Sequence, residues 1–187
     1  RQSFRFGTGF PVLSMRARWL LPLGVGATAV AQVAYAVQYL GLEQARHAAF
    51  ANATRFEPVA VSIDAAALGA PPGWQPLIWR AWNGDATIGW FFEDAVIGKS
   101  ELITYALALD ASGKVTSLEI LDYRESHGGE VRLAAWRNQF KDKTSADPVA
   151  LDRDIRNISG ATLSCRHLTE GVHRLLQLHA HVLAVKT

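Results

Sequence analysis

The hydrophobic pattern of this chain changes character several times, and each change predicts an element. Trp19 to Leu40 (WLLPLGVGATAVAQVAYAVQYL) has no charged residue and only two side-chain amides, Gln32 and Gln38. As a helix its 22 residues would run about 33 Å, close to the thickness of a bilayer's hydrocarbon core. Leu42 to Phe50 then has helical spacing and good helix formers. Glu57 to Ile63 alternates as a strand does, and Pro71-Pro72-Gly73 marks a loop. Ile78 to Trp82 and Thr87 to Phe92 read as two strands, joined by Asn83-Gly84-Asp85, a hairpin signal because Asn-Gly tolerates positive φ. Ile103 to Leu109 and Val115 to Leu121 form a second pair across Asp110-Ala111-Ser112-Gly113. A helical stretch follows from Val131 to Phe140, and Asp147-Pro148 breaks the chain. Thr162 to Val182 is a long amphipathic helix, with Leu168, Val172, Leu175, Leu176 and Val182 along one side. Strands followed by helices predict an α+β fold, an antiparallel sheet with flanking helices, preceded by the N-terminal hydrophobic helix.

Charge adds a compartment to this picture. Arg16 and Arg18 stand just before the apolar run, which puts that end on the cytoplasmic side and sends the rest of the chain out. Residues 1–42 are therefore expected to be an N-terminal extension with a signal peptide or membrane anchor, and 43–187 a domain on the extracytoplasmic face of a bacterial inner membrane. Ala34-Tyr35-Ala36 has the form of a cleavage site, and Met15-Arg16-Ala17-Arg18 has the form of a start with its basic region. The formal charge is +2, but Arg1, Arg5, Arg16 and Arg18 all precede the first acid, Glu43; the remainder carries 15 basic residues against 17 acidic ones. A domain with that balance lacks the basic face that nucleic-acid binding needs, so nucleic acid is not an expected partner.

Several chemical signals fail on inspection. The single cysteine, Cys165, excludes an internal disulfide, a multi-cysteine zinc site and a CxxCH haem attachment. Gly98-Lys99-Ser100 ends like a phosphate loop, but the glycine required five positions before Gly98 is Glu93. His173, His179 and His181 read as a solvated helix end rather than a metal site. Cys165 and His167 would point to different sides of a helix, which argues against a nucleophilic pair. Asn157-Ile158-Ser159 fits a glycosylation sequon that a bacterial chain does not use.

The informative segment is Asp154 to Ser164 (DIRNISGATLS). A polar turn opens directly into the amphipathic helix, and the small residues Ser159, Gly160 and Ala161 let backbone approach a ligand closely. Free amides at a helix start, together with the helix dipole, favour a phosphate, and Thr162 would present a hydroxyl there. The plain alternative is an ordinary cap with Ser159 as the capping residue.

Ser159-Gly160-Ala161-Thr162-Leu163-Ser164 resembles the flavinylation motif of the FMN-binding domain family. That family includes small flavin-bearing subunits of sodium-pumping NADH:quinone oxidoreductases and Rnf-type complexes, and stand-alone periplasmic flavoproteins. In it the motif threonine is esterified to the FMN phosphate by a dedicated flavin transferase; the resemblance puts that role on Thr162. The family also places a strand ending in a glutamate and a glycine-containing turn before the motif. Here Glu125-Ser126-His127-Gly128-Gly129-Glu130 occupies that place, with His127 where the pump subunits have proline. Further matches are Val96-Ile97-Gly98-Lys99, Ile103-Thr104-Tyr105-Ala106 and Trp136-Arg137-Asn138-Gln139-Phe140, so the resemblance spans roughly residues 90 to 180.

The resemblance implies FMN as cofactor, bound covalently at Thr162. Ser159, Gly160, Ala161, Leu163 and Ser164 would shape the phosphate turn, and Gly128 and Gly129 would let backbone approach the ring. Glu125 and Glu130 would set local charge, and Trp136 and Phe140 either wall the ring or pack the core. The implied activity is electron carriage, with a flavin transferase for maturation and membrane or periplasmic redox partners. The alternatives are an extracytoplasmic flavin-dependent reductase of a small acceptor, and a non-redox binding module on the same fold.

Overall fold

Gly84 and Asp85 form a two-residue turn in which Gly84 takes φ +57°, a left-handed value suited to glycine, while Asn83 pairs with Ala86. This turn starts a five-stranded antiparallel sheet in sequential order: β1 (Arg55–Pro58), β2 (Leu77–Asn83), β3 (Ala86–Ile97), β4 (Leu102–Asp110) and β5 (Val115–Tyr123). Two principal helices flank it, α1 (Leu42–Ala49) and, after the four-residue α2 (Ala134–Arg137), the long α3 (Thr162–Leu178). The computed structural model describes residues 40–184. Of the hydrophobic run from Trp19 only Leu40 falls among them, and the expected boundary between residues 42 and 43 lies at the start of α1. Among the described residues no helix is long and apolar enough to cross a membrane.

The sheet buries both faces, but unequally. On one face Trp90, Phe92, Val96, Ile103, Tyr105, Leu107, Leu109, Leu118 and Ile120 pack with Leu168, Val172, Leu175 and Leu176 of α3 into the main core. On the other, Ala81, Ala106 and Ala108 leave a shallow surface, on which α1 lies with Ala45, and Phe50 and Phe91 complete this smaller cluster. The expected α+β fold is the observed one.

Parts of the chain differ from their sequence patterns, each for a local reason. Only Arg55–Pro58 pairs as β1, because Pro58 has no N–H to extend the ladder; Val59 makes one more bond, to Ile78 O, and the chain then leaves. Val59, Val61 and Ile63 instead pack against the main core, so their alternation serves burial without pairing. The helix expected over Val131–Phe140 is three short pieces, since Leu133 adopts an extended ψ of 133° and stays exposed. The C-terminal histidines are not a uniformly solvated end. His179 is buried, stacked edge-on to Trp90 at 5.7 Å and lying where a side chain on Gly113 would sit.

Burial pushes the His179 imidazole below its ordinary value of 6.5, and Asp110 opposes it only in part. The folded state thus binds fewer protons than the unfolded chain as the pH falls. The stabilisation is fully present above the unfolded value and is lost as the pH drops through the lowered folded one. Thermal melts from neutral to about pH 5 should show a falling Tm, and His179→Gln should flatten that fall. An identical pH profile in the variant would exclude His179 as the source.

Candidate functional site

Three segments meet at the sheet end opposite the Gly84-Asp85 turn. They are the β3–β4 turn at Gly98–Glu101, the stretch after β5, and the start of α3. Between them lies a cavity of about 320 Å³ lined by Lys99, Ser100, Glu125, Ser126, His127 and the stretch 160–164. A second cavity of about 490 Å³ shares Glu125, Ser126 and His127 and continues over Tyr123, Gly128, Gly129 and Arg132.

The helix start is built to leave donors free. Ala161 is the capping residue, and its side chain makes no capping bond. The first amides of any helix have no acceptor within it, and they carry the positive end of its dipole. Gly160 enters the turn at φ +86°, a conformation other residues resist, and the space where its side chain would project is open. Thr162 is half-buried, and its hydroxyl accepts a hydrogen bond from Asn157 Nδ2 at 3.1 Å. Asn157 is itself fixed, because its Oδ1 accepts from the Ile158 amide at 2.8 Å. Ser159 is exposed and is not the cap, which removes the plain reading of this segment as a serine-capped helix.

Glu125 ties the far wall together. Its carboxylate accepts from the backbone amides of Ser100 (2.5 Å) and Glu101 (2.9 Å). The Glu101 and Ser100 amides hold that carboxyl below the usual range, so it stays ionised. A methyl group on Gly98 would fall 2.5 Å from Glu125 Oε1, so the glycine makes room for the latch. Tyr123 joins the other wall. Its hydroxyl donates to His127 O at 2.5 Å, lies 3.4 Å from the buried Ser164 hydroxyl, and sits under Gly128, which has φ +79°. Arg132 lies over the Tyr123 ring, 5.4 Å from its centre.

Of the residues expected at the site, Gly160, Ala161, Thr162, Leu163, Ser164 and Glu125 share the smaller cavity, and Gly128, Gly129 and Glu130 share the larger. Ser159 is the residue before this group. Trp136 stands apart: it is buried, donates from its indole to Arg156 O at 2.8 Å, and packs edge-on to Phe140 at 5.2 Å. It borders a separate cavity with Gln139, Arg156 and Ile158 that touches the larger one only through Glu130 and Leu133. Phe140 is wholly buried.

Sequence reasoning gave no role to Asn157, Lys99, Ser100 or Tyr123. Gly98-Lys99-Ser100 is no phosphate loop, yet the fold brings its Lys99 to the mouth of the Thr162 cavity. Cys165 is buried and its thiol is pushed up by that burial, while His167 donates to Ile97 O at 2.6 Å. The two are not a reactive pair. Among the described residues no cluster of His, Cys, Asp and Glu could hold a metal ion.

Residues 98–177 match the family model of the FMN-binding domain. No curated protein matches the chain.

Proposed function

Residues 98–177 make this chain a member of the FMN-binding domain family, with FMN as its cofactor, and on that premise we propose that it is an extracytoplasmic electron-transfer flavoprotein whose FMN is esterified to Thr162. The observation that carries the proposal is the uncapped start of α3, where a fixed hydroxyl, free amides and Lys99 face one cavity.

The residues present suit the group. A phosphomonoester at this point would meet the amides of Thr162, Leu163 and Ser164, the helix dipole and the Lys99 ammonium. In the adjoining cavity Gly128 and Gly129 would let backbone come close to a planar ring, with Tyr123 and Arg132 beside them. When bound, the flavin supplies one- and two-electron exchange. Asn157 holds the Thr162 oxygen in place, and Glu125 holds the β3–β4 turn against the cavity. Neither is placed as a base for the hydroxyl: Asn157 does not titrate, and Glu125 is already engaged by two amides. This supports attachment by a separate flavin transferase rather than self-modification. The linkage forms between Thr162 Oγ1 and the FMN phosphorus with the net loss of one water. The ionised Glu125 would lower the flavin potential by opposing negative charge on the reduced ring.

Protein made with and without a flavin transferase should differ in one respect. Only the co-expressed protein should fluoresce as a band on a denaturing gel. Equal absence of fluorescence in both, with the transferase active on a control, would reject the covalent link.

A further inference from the structure

The sheet face that carries α1 is only half covered. Phe50, just after α1, lies against Gly89, at the end of the face near the Gly84-Asp85 turn. Toward the opposite end the same face presents Leu77, Ile97 and Leu102, which are 54%, 55% and 58% exposed. The strand register makes this one surface: Ile97 pairs with Leu102, Ala95 with Thr104, and Leu77 with Glu93. Alternation along β3 puts Phe91, Glu93, Ala95 and Ile97 on that side, the side opposite the main core. The β3–β4 turn at its tip adds Lys99, Ser100 and Glu101, all exposed and with no net charge among them.

We infer that this bare end of the sheet face rests on the surface of a lipid bilayer. The chain outside the described residues says what covers it. Residues 19–40 form the uncharged 22-residue run, and only Gly41 separates that run from α1, which lies on this face. One residue spans about 3.5 Å, a tether short enough to keep the sheet within reach of a bilayer in which such a run would sit. Exposed Leu and Ile side chains at one end of a sheet suit the interfacial layer. Lys99 and Glu101 offset each other at the tip, so the contact does not need anionic lipid.

The turn that would touch the membrane is also a wall of the Thr162 cavity, through Lys99 and Ser100. Docking there would hold the flavin site beside the membrane, where a redox partner embedded in it could exchange electrons. The inference rests on reading residues 19–40 as a membrane segment, and the test separates the two.

The full chain is reconstituted in phosphatidylcholine vesicles carrying a doxyl-labelled lipid. A bimane fluorophore is placed at Leu77→Cys, Ile97→Cys or, as control, Asp85→Cys in the turn at the far end of the sheet. Cys165 is fully buried and does not compete for the label. Bimane at 77 and 97 should lose about half its emission or more to the doxyl lipid, and bimane at 85 should lose little. Ile97→Asp with Leu102→Asp should abolish the quenching at 77, and both side chains are exposed enough for the fold to survive the change. Alkaline carbonate extraction on the same samples reads the anchor independently. A retained chain with no quenching at 77 and 97 overturns the docking and leaves the anchor reading intact. A released chain with quenching supports docking and overturns the anchor, and a released, unquenched chain overturns both. Shielding of position 97 from a water-soluble thiol reagent in native membranes, without lipid quenching, would assign the face to a protein and overturn the proposal.

Discussion

Thr162→Ala, made alongside an active flavin transferase, is expected to carry no flavin that survives denaturation. The change removes the oxygen that would bond to phosphorus, and no neighbour can take its place. Ser164 is buried against Tyr123, and Ser159 lies on the far side of Gly160, outside the helix start. The loss would not be a folding defect. The substitution removes one hydrogen bond, from Asn157, worth about 1 kcal/mol. Thermal melts of Thr162→Ala and of the unmodified parent should therefore differ by only about 2–4 °C. Thr162→Ser keeps the oxygen at the same helix position and should restore a fluorescent band. Full covalent flavin in Thr162→Ala would move the attachment to another residue.

Asp94→Ala should cause the largest loss of stability. Asp94 is buried in the core, yet its two oxygens are spoken for: Trp74 Nε1 donates to one at 2.9 Å, and the Tyr105 hydroxyl to the other at 2.7 Å. Burial, and then the neighbouring Asp94 carboxylate, push the Tyr105 phenol well above its ordinary value, so it remains a donor at any physiological pH. Removing the acceptor leaves a fully buried hydroxyl and an indole N–H without partners. With about 1.5–3 kcal/mol for each of the two bonds to a charged group, the cost is roughly 3–6 kcal/mol. That lowers Tm by on the order of 10 °C in a domain of this size. Asp94→Asn, which keeps one carbonyl oxygen, should fall between the two. Since Asp94 does not line the Thr162 cavity, the folded fraction of either variant should still accept flavin. Urea melts of the three proteins measure the difference; a shift below about 1 kcal/mol for the alanine would mean that the network contributes little.

The same residue shows where the sequence could be read and where it could not. β2, β4, β5 and α3 follow their hydrophobic periods closely. β3 runs five residues past its expected end at Phe92, because Glu93 and Asp94 interrupt the apolar run. Asp94 points into the core nonetheless, and what allows it is Trp74, twenty positions earlier, and Tyr105, eleven later. A period counts residues; it does not see a partner brought in by another strand. The site divides in the same way. Thr162 and its small neighbours are legible because a contiguous segment forms the helix start. Lys99 and Tyr123 reach that segment only through the sheet, which the spacing of Gly98-Lys99-Ser100 does not signal. Asn157 was visible, but its bond to Thr162 depends on the turn made by the residues between them. The broken helix after Gly129 has a different cause: Leu133 turns outward into an extended conformation that helical spacing does not signal.

A covalent bond between Thr162 and FMN changes the mass of the chain at one peptide. Protein co-expressed with the transferase is weighed intact and then digested. A gain of one FMN less one water, confined to the peptide containing Thr162, is the expected result. An unchanged mass would mean that no covalent flavin forms, and the same gain on a peptide that lacks Thr162 would mean that the bond lies elsewhere.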